Sequence, residues 1–366
     1  DFLALETELA LVILHSHYSL CAGRVHRPVC FYWLSSLCAI YLRCKPHLRL
    51  KRVFLHSGGW AIEYYSAAQP PMINPLPTPV RQRLEQTLAQ WRQWECQPTL
   101  QAAPTVVRVL APGLSNYSVL VESDQRFVVR IDGVNTVLHS LNRQGEWHSL
   151  DAAHRAGLAP RPRYFNPELG SLVCDYLPPD AQQPLRMADV AQLLRGIHRL
   201  PARHHRLDLR ERMLSYEKRL AHRDPPRAAL LAPFRSTALQ ALASADRGPQ
   251  RAVLCHHDLL RANRLYSGGR LFALDWEYSA MGNCWYDLAV VVAGDALSAA
   301  DTEDLLQAYL GRPASADELR RVKRYGCAYR YLELLWYLVQ QHPGFDGVAL
   351  RQQLELLERQ LGEINP

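Results

Sequence analysis

Lysine is scarce in this sequence, and paired cysteine motifs are absent. Only four of the 42 basic residues are lysines, so arginine carries most of the charge that gives a net +7. No basic run is long enough for a nucleic-acid-binding tail, so we predict no nucleic-acid partner. The nine cysteines include no Cys-x-x-Cys pair, which argues against a structural zinc site or a disulfide framework. We therefore expect reduced thiols and a cytoplasmic protein.

The first 71 residues show no sustained hydrophobic period of a helix or a strand, and the first methionine is residue 72. Their longest apolar run, residues 29–42, is too short for a confident membrane span, so we expect no membrane partner. Three interpretations stay open. We favour upstream sequence translated in frame before Met72, then a poorly ordered extension of the native protein, and last a membrane anchor.

From residue 72 onward the pattern predicts two lobes. Residues 72–178 are predicted to form a nucleotide-binding lobe with a leading amphipathic helix near 80–94. Residues 179–366 are predicted to form a helical lobe that carries the chemistry. We expect the chain to be a monomer or a homodimer.

A small-residue turn lies between the first two predicted strands of this lobe, at 105–110 and 117–122. It includes Gly113, Ser115 and Asn116. Small residues let backbone N–H groups approach phosphates, which would make this a nucleotide-binding turn. An ordinary hairpin turn has the same composition, so the turn alone does not decide between the two.

The next predicted strand, 126–131, carries Arg130 near its end. Kinase sites use a cation at this place to grip phosphates, usually a lysine paired with a glutamate on the next helix. No lysine lies between residues 51 and 218, so Arg130 is the candidate, and arginine is a good phosphate ligand. Glu146, on a predicted helix over 142–156, is its candidate partner. The alternatives are a surface arginine and a solvated glutamate.

Farther along the chain, four polar residues occur at kinase-like spacing. His256-x-Asp258-x4-Asn263 is followed twelve residues later by Asp275. In phosphoryl-transfer sites one Asp accepts the proton of the attacking hydroxyl, while an Asn and a second Asp bind Mg²⁺ through oxygen. Asp258 is therefore the candidate base, and Asn263 and Asp275 the candidate metal ligands. Short apolar strands are predicted on both sides, at 251–255 and 271–274.

On these residues the chain resembles the aminoglycoside phosphotransferase and choline kinase superfamily. The segments Leu-Cys-His-His-Asp-Leu-Leu-Arg-Ala-Asn and Leu-Asp-Trp-Glu-Tyr, ending at Asn263 and Tyr278, carry the resemblance, which extends over about 100–345. Residues 275–283, followed by Trp-Tyr-Asp-Leu-Ala at 285–289, look like those of bacterial choline kinases and thiamine kinases, and arginine at 130 fits the thiamine kinase type. The resemblance implies an α+β, protein-kinase-like fold with a small antiparallel-sheet N-terminal lobe and a larger, mainly helical C-terminal lobe.

The resemblance also implies ATP and Mg²⁺ as cofactors and a set of site roles. Arg130 would clamp phosphate, and the strand predicted at 171–178 would be the hinge, whose backbone would bind adenine around Asp175, Tyr176 and Leu177. His256 and Asp287 would support the catalytic loop.

The acceptor is expected to be a hydroxyl of a small cationic metabolite, of the choline or thiamine type. Aromatic rings bind such cations, and a carboxylate adds attraction; the candidates are Tyr329, Trp336, Tyr337 and Glu277. Core packing explains any single one of these rings equally well. An aminoglycoside phosphotransferase, or a non-catalytic nucleotide-binding protein of the same fold, stays as the alternative.

Overall fold

The computed structural model describes residues 76–112, 116–133, 141–180, 183–248, 251–341, 345 and 347–364, together with 48–56 and 59–66; the last two ranges and 111–112 are described by backbone only. Asp1–Met72 and Ile73–Pro366 form two compact units. The apolar run 29–42 and most of the predicted extension lie outside the described residues. Gly113 and Ser115 also lie outside them.

The first unit contains a β-hairpin that the sequence analysis did not predict. Strand β1 (Leu48–His56) pairs antiparallel with β2 (Gly59–Ser66), and the register shifts between Leu50 and Arg52. Apolar and basic residues alternate from Leu48 to Lys51 but not beyond. The irregularity in pairing therefore falls where the period-two pattern fails, which is why the pattern did not indicate a strand.

The second unit begins with a small lobe built around one antiparallel sheet. Its five strands are β3 (Thr105–Pro112), β4 (Asn116–Glu122), β5 (Arg126–Asp132), β6 (Pro162–Asn166) and β7 (Ser171–Asp175). In the sheet they lie in the order β3-β4-β5-β7-β6. Helix α1 (Thr78–Ala89) and helix α2 (Arg143–Arg155) belong to the same lobe.

Alternation along β5 separates the core of this lobe from its functional face. Phe127, Val129 and Ile131 are completely buried and pack in the hydrophobic cluster that includes α1. Because successive side chains of a strand point to opposite faces, Val128 and Arg130 lie on the other face, where they line a cavity. The alternation of side chains along β5 thus places the guanidinium of Arg130 beside that cavity.

Helix α2 begins and ends where its sequence predicts. The side chain of Asn142 accepts a hydrogen bond from the N–H of Gly145 at 2.8 Å and caps the start. The helix ends at Arg155, and Gly157 follows with a φ of +71°, a left-handed conformation that glycine adopts at little cost.

The rest of the second unit is mainly helical, so the predicted α+β architecture of a sheet-bearing lobe followed by a helical lobe is confirmed. None of the described helices has the length and apolarity needed to cross a bilayer. The helices are α3 (Met187–His198), α4 (Leu209–Arg223), α5 (Pro225–Ala245), α6 (Cys284–Gly294), α7 (Ala299–Leu310), α8 (Ala316–Gln340) and α9 (Gly347–Ile364).

Two short antiparallel ribbons cross this helical lobe and carry the polar motif. One pairs β8 (Val253–Cys255) with β11 (Ala280–Gly282), and the other pairs β9 (Arg264–Ser267) with β10 (Arg270–Ala273). The loop from β8 to β9 contains Asp258, and Asp275 follows β10. The two ends of the motif are therefore fixed by backbone pairing.

Candidate active site

The loop after β8 is held by one buried carboxylate on α6. Both oxygens of Asp287 accept backbone hydrogen bonds at 2.7 Å, from the N–H groups of His256 and His257, and the ring of His198 donates at 3.1 Å. Burial is the largest single influence on Asp287 and raises its pKa, but the hydrogen bond from His198 and the interactions with the surrounding histidines together lower the pKa to about 2. The side chain is therefore an anion that fixes the loop backbone.

The ring of His256 connects this loop to the segment that carries Asp275. Burial lowers the pKa of His256 to about 4, so the ring is neutral at pH 7. Its Nε2 lies 3.0 Å from the carbonyl oxygen of Leu274, to which it donates, and the ring packs against Trp276 with 4.9 Å between centroids. The hydrogen bond therefore links Leu274, the residue before Asp275, to His256 at the start of the loop.

Two non-glycine residues of the motif have left-handed backbone conformations. The φ angles are +64° at His257 and +58° at Asp275. Such conformations are uncommon outside glycine, and they cluster at functional sites where surrounding contacts enforce them. Here the enforcing contacts are the hydrogen bonds from the N–H of His257 to Asp287 and from the ring of His256 to Leu274.

Asp258 and Asn263 form one hydrogen-bonded unit. The amide nitrogen of Asn263 donates to the backbone oxygen of Asp258 and to its Oδ2, each at 2.8 Å. Asn263 lies on a short 3₁₀ turn, Arg261–Asn263. Its amide nitrogen is thus occupied, so its carbonyl oxygen is the atom left for a metal. Within the described chain nothing is bonded to Oδ1 of Asp258, which leaves that oxygen for a proton.

Arg130 joins the sheet-bearing lobe to the metal-ligand candidate. Its Nη1 lies 2.8 Å from Oδ1 of Asp275 and 2.5 Å from Oε1 of Glu146, and its Nη2 donates to Oε2 of Glu146 at 2.8 Å. The ion pair between Arg130 and Glu146 that the sequence predicted is therefore present. Their role in binding ATP stays a prediction.

A second buried arginine, Arg143, was missed by the sequence analysis. It is the first residue of α2, and its guanidinium contacts Asp132, Glu146 and Glu277 at 2.5, 2.9 and 3.2 Å. Arg143 and Glu146 are three residues apart, which places them on one helix face. That spacing was the available signal, but the contact with Glu277, 134 residues away, depends on tertiary structure.

Three buried, crowded carboxylates in this site resist ionisation. Burial, followed by the charge of Asp275, raises the pKa of Asp258 well above its ordinary value and that of Glu277 to about 7. Burial also raises the pKa of Asp275, although Arg130 opposes the shift. Three acids that resist ionisation together form a site that a bound cation would stabilise.

These residues border one cavity of about 690 Å³. Part of the lining is apolar and is called the slot here: Leu110 and Val128 come from the sheet, and Leu265 and Leu274 from the helical lobe. The hinge residues Asp175, Tyr176 and Leu177 line the same cavity.

The backbone N–H groups of the hinge are used differently from residue to residue. Those of Asp175 and Tyr176 donate to the carbonyl oxygens of Arg161 and Arg126. Among the described residues, the N–H of Leu177 has no hydrogen-bond acceptor.

Helix α8 contributes an aromatic wall to the same cavity, formed by Tyr329, Trp336 and Tyr337. Trp336 donates through its indole N–H to the hydroxyl of Tyr278 at 3.1 Å, and the hydroxyl of Tyr329 donates to Glu333 at 2.7 Å. The ring of Tyr337 stands edge-on to Trp336, with 5.1 Å between centroids. Tyr278 and Glu333 were not predicted, although Glu333 lies four residues after Tyr329 on the same helix.

The cavity brings together most of the predicted site residues. Glu146, His256 and Asp287 lie behind it and hold its lining in place. Glu277 lines the cavity, but its Oε2 accepts hydrogen bonds from Asn116 and Arg143, so it faces the sheet-bearing lobe. The predicted site residues that line the cavity are Asn116, Arg130, Asp175, Tyr176, Leu177, Asp258, Asn263, Asp275, Glu277, Tyr329, Trp336 and Tyr337.

Comparison with known proteins agrees with this geometry. The model of the phosphotransferase enzyme family matches residues 106–323, more than half of the chain. Protein LicA of Haemophilus influenzae is 29% identical over 106 residues, which is 27% of this chain and 40% of LicA. The match thus spans less than half the length of that relative.

Two solved structures show the same fold. The choline kinase LicA from Streptococcus pneumoniae has a TM-score of 0.61 at 20% identity, covering 77% of this chain and 99% of that one. The ADP-bound aminoglycoside phosphotransferase APH(2'')-Ib has a TM-score of 0.53 at 14% identity, covering 79% and 99%. The predicted superfamily and kinase-like fold are confirmed. The chain belongs to the phosphotransferase enzyme family.

Proposed function

We propose that this protein is an ATP-dependent kinase that phosphorylates a hydroxyl of a small cationic metabolite of the choline or thiamine type. The observation that carries the proposal is a single cavity lined by Asp258, Asn263 and Asp275, by the apolar slot with the hinge, and by an aromatic wall with a carboxylate. The family match supports the transferase class, and the aromatic wall supports the cationic acceptor.

ATP is proposed to bind with adenine in the slot and its phosphates toward Asp275. The N–H of Leu177 would donate to the purine edge, because the sheet does not use it. Arg130 would contact the phosphates, and its contact with Glu146 keeps the guanidinium in place. Arginine fits this task because its planar fork binds phosphate oxygens in pairs.

The residues present fit Mg²⁺. The carbonyl oxygen of Asn263 and the carboxylate of Asp275 are hard oxygen donors, the ligand type that Mg²⁺ prefers together with phosphate oxygens. Burial raises the pKa values of Asp258, Asp275 and Glu277, and the charge of Asp275 adds to the shift of the other two, so a cation bound beside them would favour their ionised forms. When bound, Mg²⁺ would neutralise charge on the phosphates during transfer.

In the proposed reaction Asp258 orients the acceptor hydroxyl and takes its proton. The hydroxyl oxygen attacks the γ-phosphorus in line, the bond from that phosphorus to the β,γ-bridging oxygen breaks, and ADP leaves. Asn263 holds Oδ2 of Asp258, so the carboxylate presents Oδ1 to the hydroxyl. Positioning supplies most of the rate in such transfers, which is why the loop contacts of Asp287 matter.

The acceptor side of the cavity suits a compact cation. Trp336, Tyr329 and Tyr337 offer π faces or edges, and Glu333 adds one negative charge beside them. An aminoglycoside carries several positive charges and needs several carboxylates. Glu333 is the acidic residue that lines the cavity on α8, so a monocation is the better match.

The test is turnover of the full chain with Mg·ATP and separate acceptors, comparing choline, ethanolamine, thiamine and an aminoglycoside by ADP release. We expect turnover with choline or thiamine. Trp336→Ala is expected to raise the acceptor KM about 2- to 30-fold, because cation–π contacts contribute about 0.5–2 kcal/mol, and to leave the KM for ATP unchanged.

Tyr331→Phe is the matched control for that variant, because Tyr331 lies on the same helix but donates to Glu217 and packs in the core. It should leave both constants within twofold. Turnover with the aminoglycoside alone would contradict the proposed acceptor. Equal KM values for choline or thiamine in Trp336→Ala and wild type would contradict the role of the aromatic wall.

A second result is expected from melting curves with and without Mg²⁺. The pKa of Glu277 is raised to about 7, so its protonated form stabilises the metal-free fold at low pH, and that contribution is lost as pH rises through about 7. Mg²⁺ should therefore raise Tm more at pH 8 than at pH 6. In Glu277→Gln the difference between the two pH values should shrink; a Mg²⁺ effect independent of pH in wild type would contradict the linkage.

A further inference from the structure

Two separate contacts tie the sheet-bearing lobe to the segment that follows β10. Arg130 binds Asp275 at 2.8 Å. Glu277 accepts hydrogen bonds at its Oε2 from Nδ2 of Asn116 at 2.8 Å and from Nη1 of Arg143 at 3.2 Å. Both contacts span more than 130 residues of sequence, and both are buried or nearly so.

The two contacts differ in what nucleotide binding requires of them. On the proposed function, Asp275 becomes a ligand of Mg²⁺ and Arg130 becomes a ligand of phosphate, so their mutual contact competes with both. Glu277 can keep its hydrogen bonds to Asn116 and Arg143 at that moment. The contact of Glu277 with Asn116 and Arg143 can therefore keep the two lobes in place while Arg130 and Asp275 change partners.

Arg143 is the residue that makes the second contact rigid. Its Nη1 also binds Oε2 of Glu146 at 2.9 Å, and its Nη2 contacts Oδ1 of Asp132 at 2.5 Å. Only 13% of the side chain is exposed. A guanidinium can serve several acceptors at once because its five N–H groups lie in a fixed plane, and an ammonium group cannot reproduce that geometry.

Resting on the proposed function, we propose that Arg143 is a positioning residue for Mg·nucleotide binding. It holds Asn116 at the start of β4 against Glu277 and keeps Glu146 directed at Arg130. Its loss should weaken binding of the metal-bound triphosphate, while the hinge and the acceptor side keep their affinity.

The experiment compares wild type with Arg143→Met and Arg143→Lys by calorimetry. Arg143→Met is expected to weaken binding of Mg·AMP-PNP about 10-fold or more, because charge-assisted hydrogen bonds are lost. Arg143→Lys should recover part of the affinity. Binding of AMP without metal, which reports the slot and hinge, should change less than twofold, and the acceptor KM should stay within twofold.

Arg195→Met is the matched control, because Arg195 also bridges two elements, α3 and α7, but its partner is the carbonyl of Ala308, which does not line this cavity. It should lower Tm without changing nucleotide affinity. If Arg143→Met binds Mg·AMP-PNP as tightly as wild type, or weakens AMP equally, the proposal is overturned. If Arg143→Met does not fold, the affinities of Arg143→Lys for Mg·AMP-PNP and for AMP test the proposal in its place.

These binding measurements require no turnover, so they separate the two proposals. A wild-type chain that phosphorylates none of the acceptors would count against the proposed function. The ratio of Mg·AMP-PNP to AMP affinity in the Arg143 variants would still support or overturn the positioning role.

Discussion

Substitution of Asp258 by asparagine is expected to lower kcat about 10²- to 10⁴-fold, the usual contribution of a positioned general base. The amide keeps the size of the side chain but cannot take the proton from the acceptor hydroxyl. Affinity for Mg·ATP should change no more than about threefold, because the proposed phosphate and metal ligands are Arg130, Asn263 and Asp275. ADP release and calorimetry measure the two quantities.

The matched control is Asp224→Asn, a helix N-cap outside the cavity whose asparagine can still cap α5. It should leave kcat unchanged. Turnover of Asp258→Asn at the wild-type rate would show that Asp258 is not the base. Mg·ATP binding without turnover in wild type, with every acceptor of the panel, would instead favour a non-catalytic nucleotide-binding protein.

Replacement of Asp287 by alanine is expected to cost about 3–5 kcal/mol of unfolding free energy and to abolish turnover. This is the range for removing one partner of a buried charged network. Two backbone N–H groups and the ring of His198 would lose their acceptor at once, and the loop carrying Asp258 would lose its support. Denaturant unfolding and ADP release test the two effects.

Asp287→Asn provides the graded comparison, because its amide oxygen can accept from one of the two backbone donors. Its unfolding free energy should fall less than that of the alanine variant, and it should keep a slow turnover. An alanine variant with wild-type stability would contradict the structural role of this carboxylate. A destabilised variant with wild-type kcat at low temperature would contradict the coupling between loop support and catalysis.

Local patterns predicted the parts of the site that depend on chain periodicity. A strand alternates faces, so an arginine at the fifth position of β5 had to lie opposite the buried Phe127 and Val129. The hydrogen bond between Asn263 and Asp258 also joins residues close in sequence. The turn between β9 and β10 is local in the same way, because Gly268 and Gly269 both have positive φ, a conformation typical of glycine in hairpin turns.

Contacts between distant segments could not be predicted in this way. Arg143 meets Glu277 only because the sheet-bearing lobe faces the segment after β10, and nothing in either local pattern indicates that pairing. The contacts of Glu277 with Asn116 and Arg143 are of this kind, and its role in holding the acceptor stays a prediction. The aromatic wall was predicted from composition, but its relation to Tyr278 required the packing of α8.

The use of arginine at position 130 has a consequence for chemical labelling. Nucleotide probes that acylate an active-site lysine need an amine beside the phosphates, and none of the described residues lining this cavity is a lysine. A guanidinium stays protonated at neutral pH and is a poor nucleophile. Such probes should therefore pass over this protein in a survey of cellular kinases, while arginine-directed dicarbonyl reagents should modify it and be blocked by bound nucleotide.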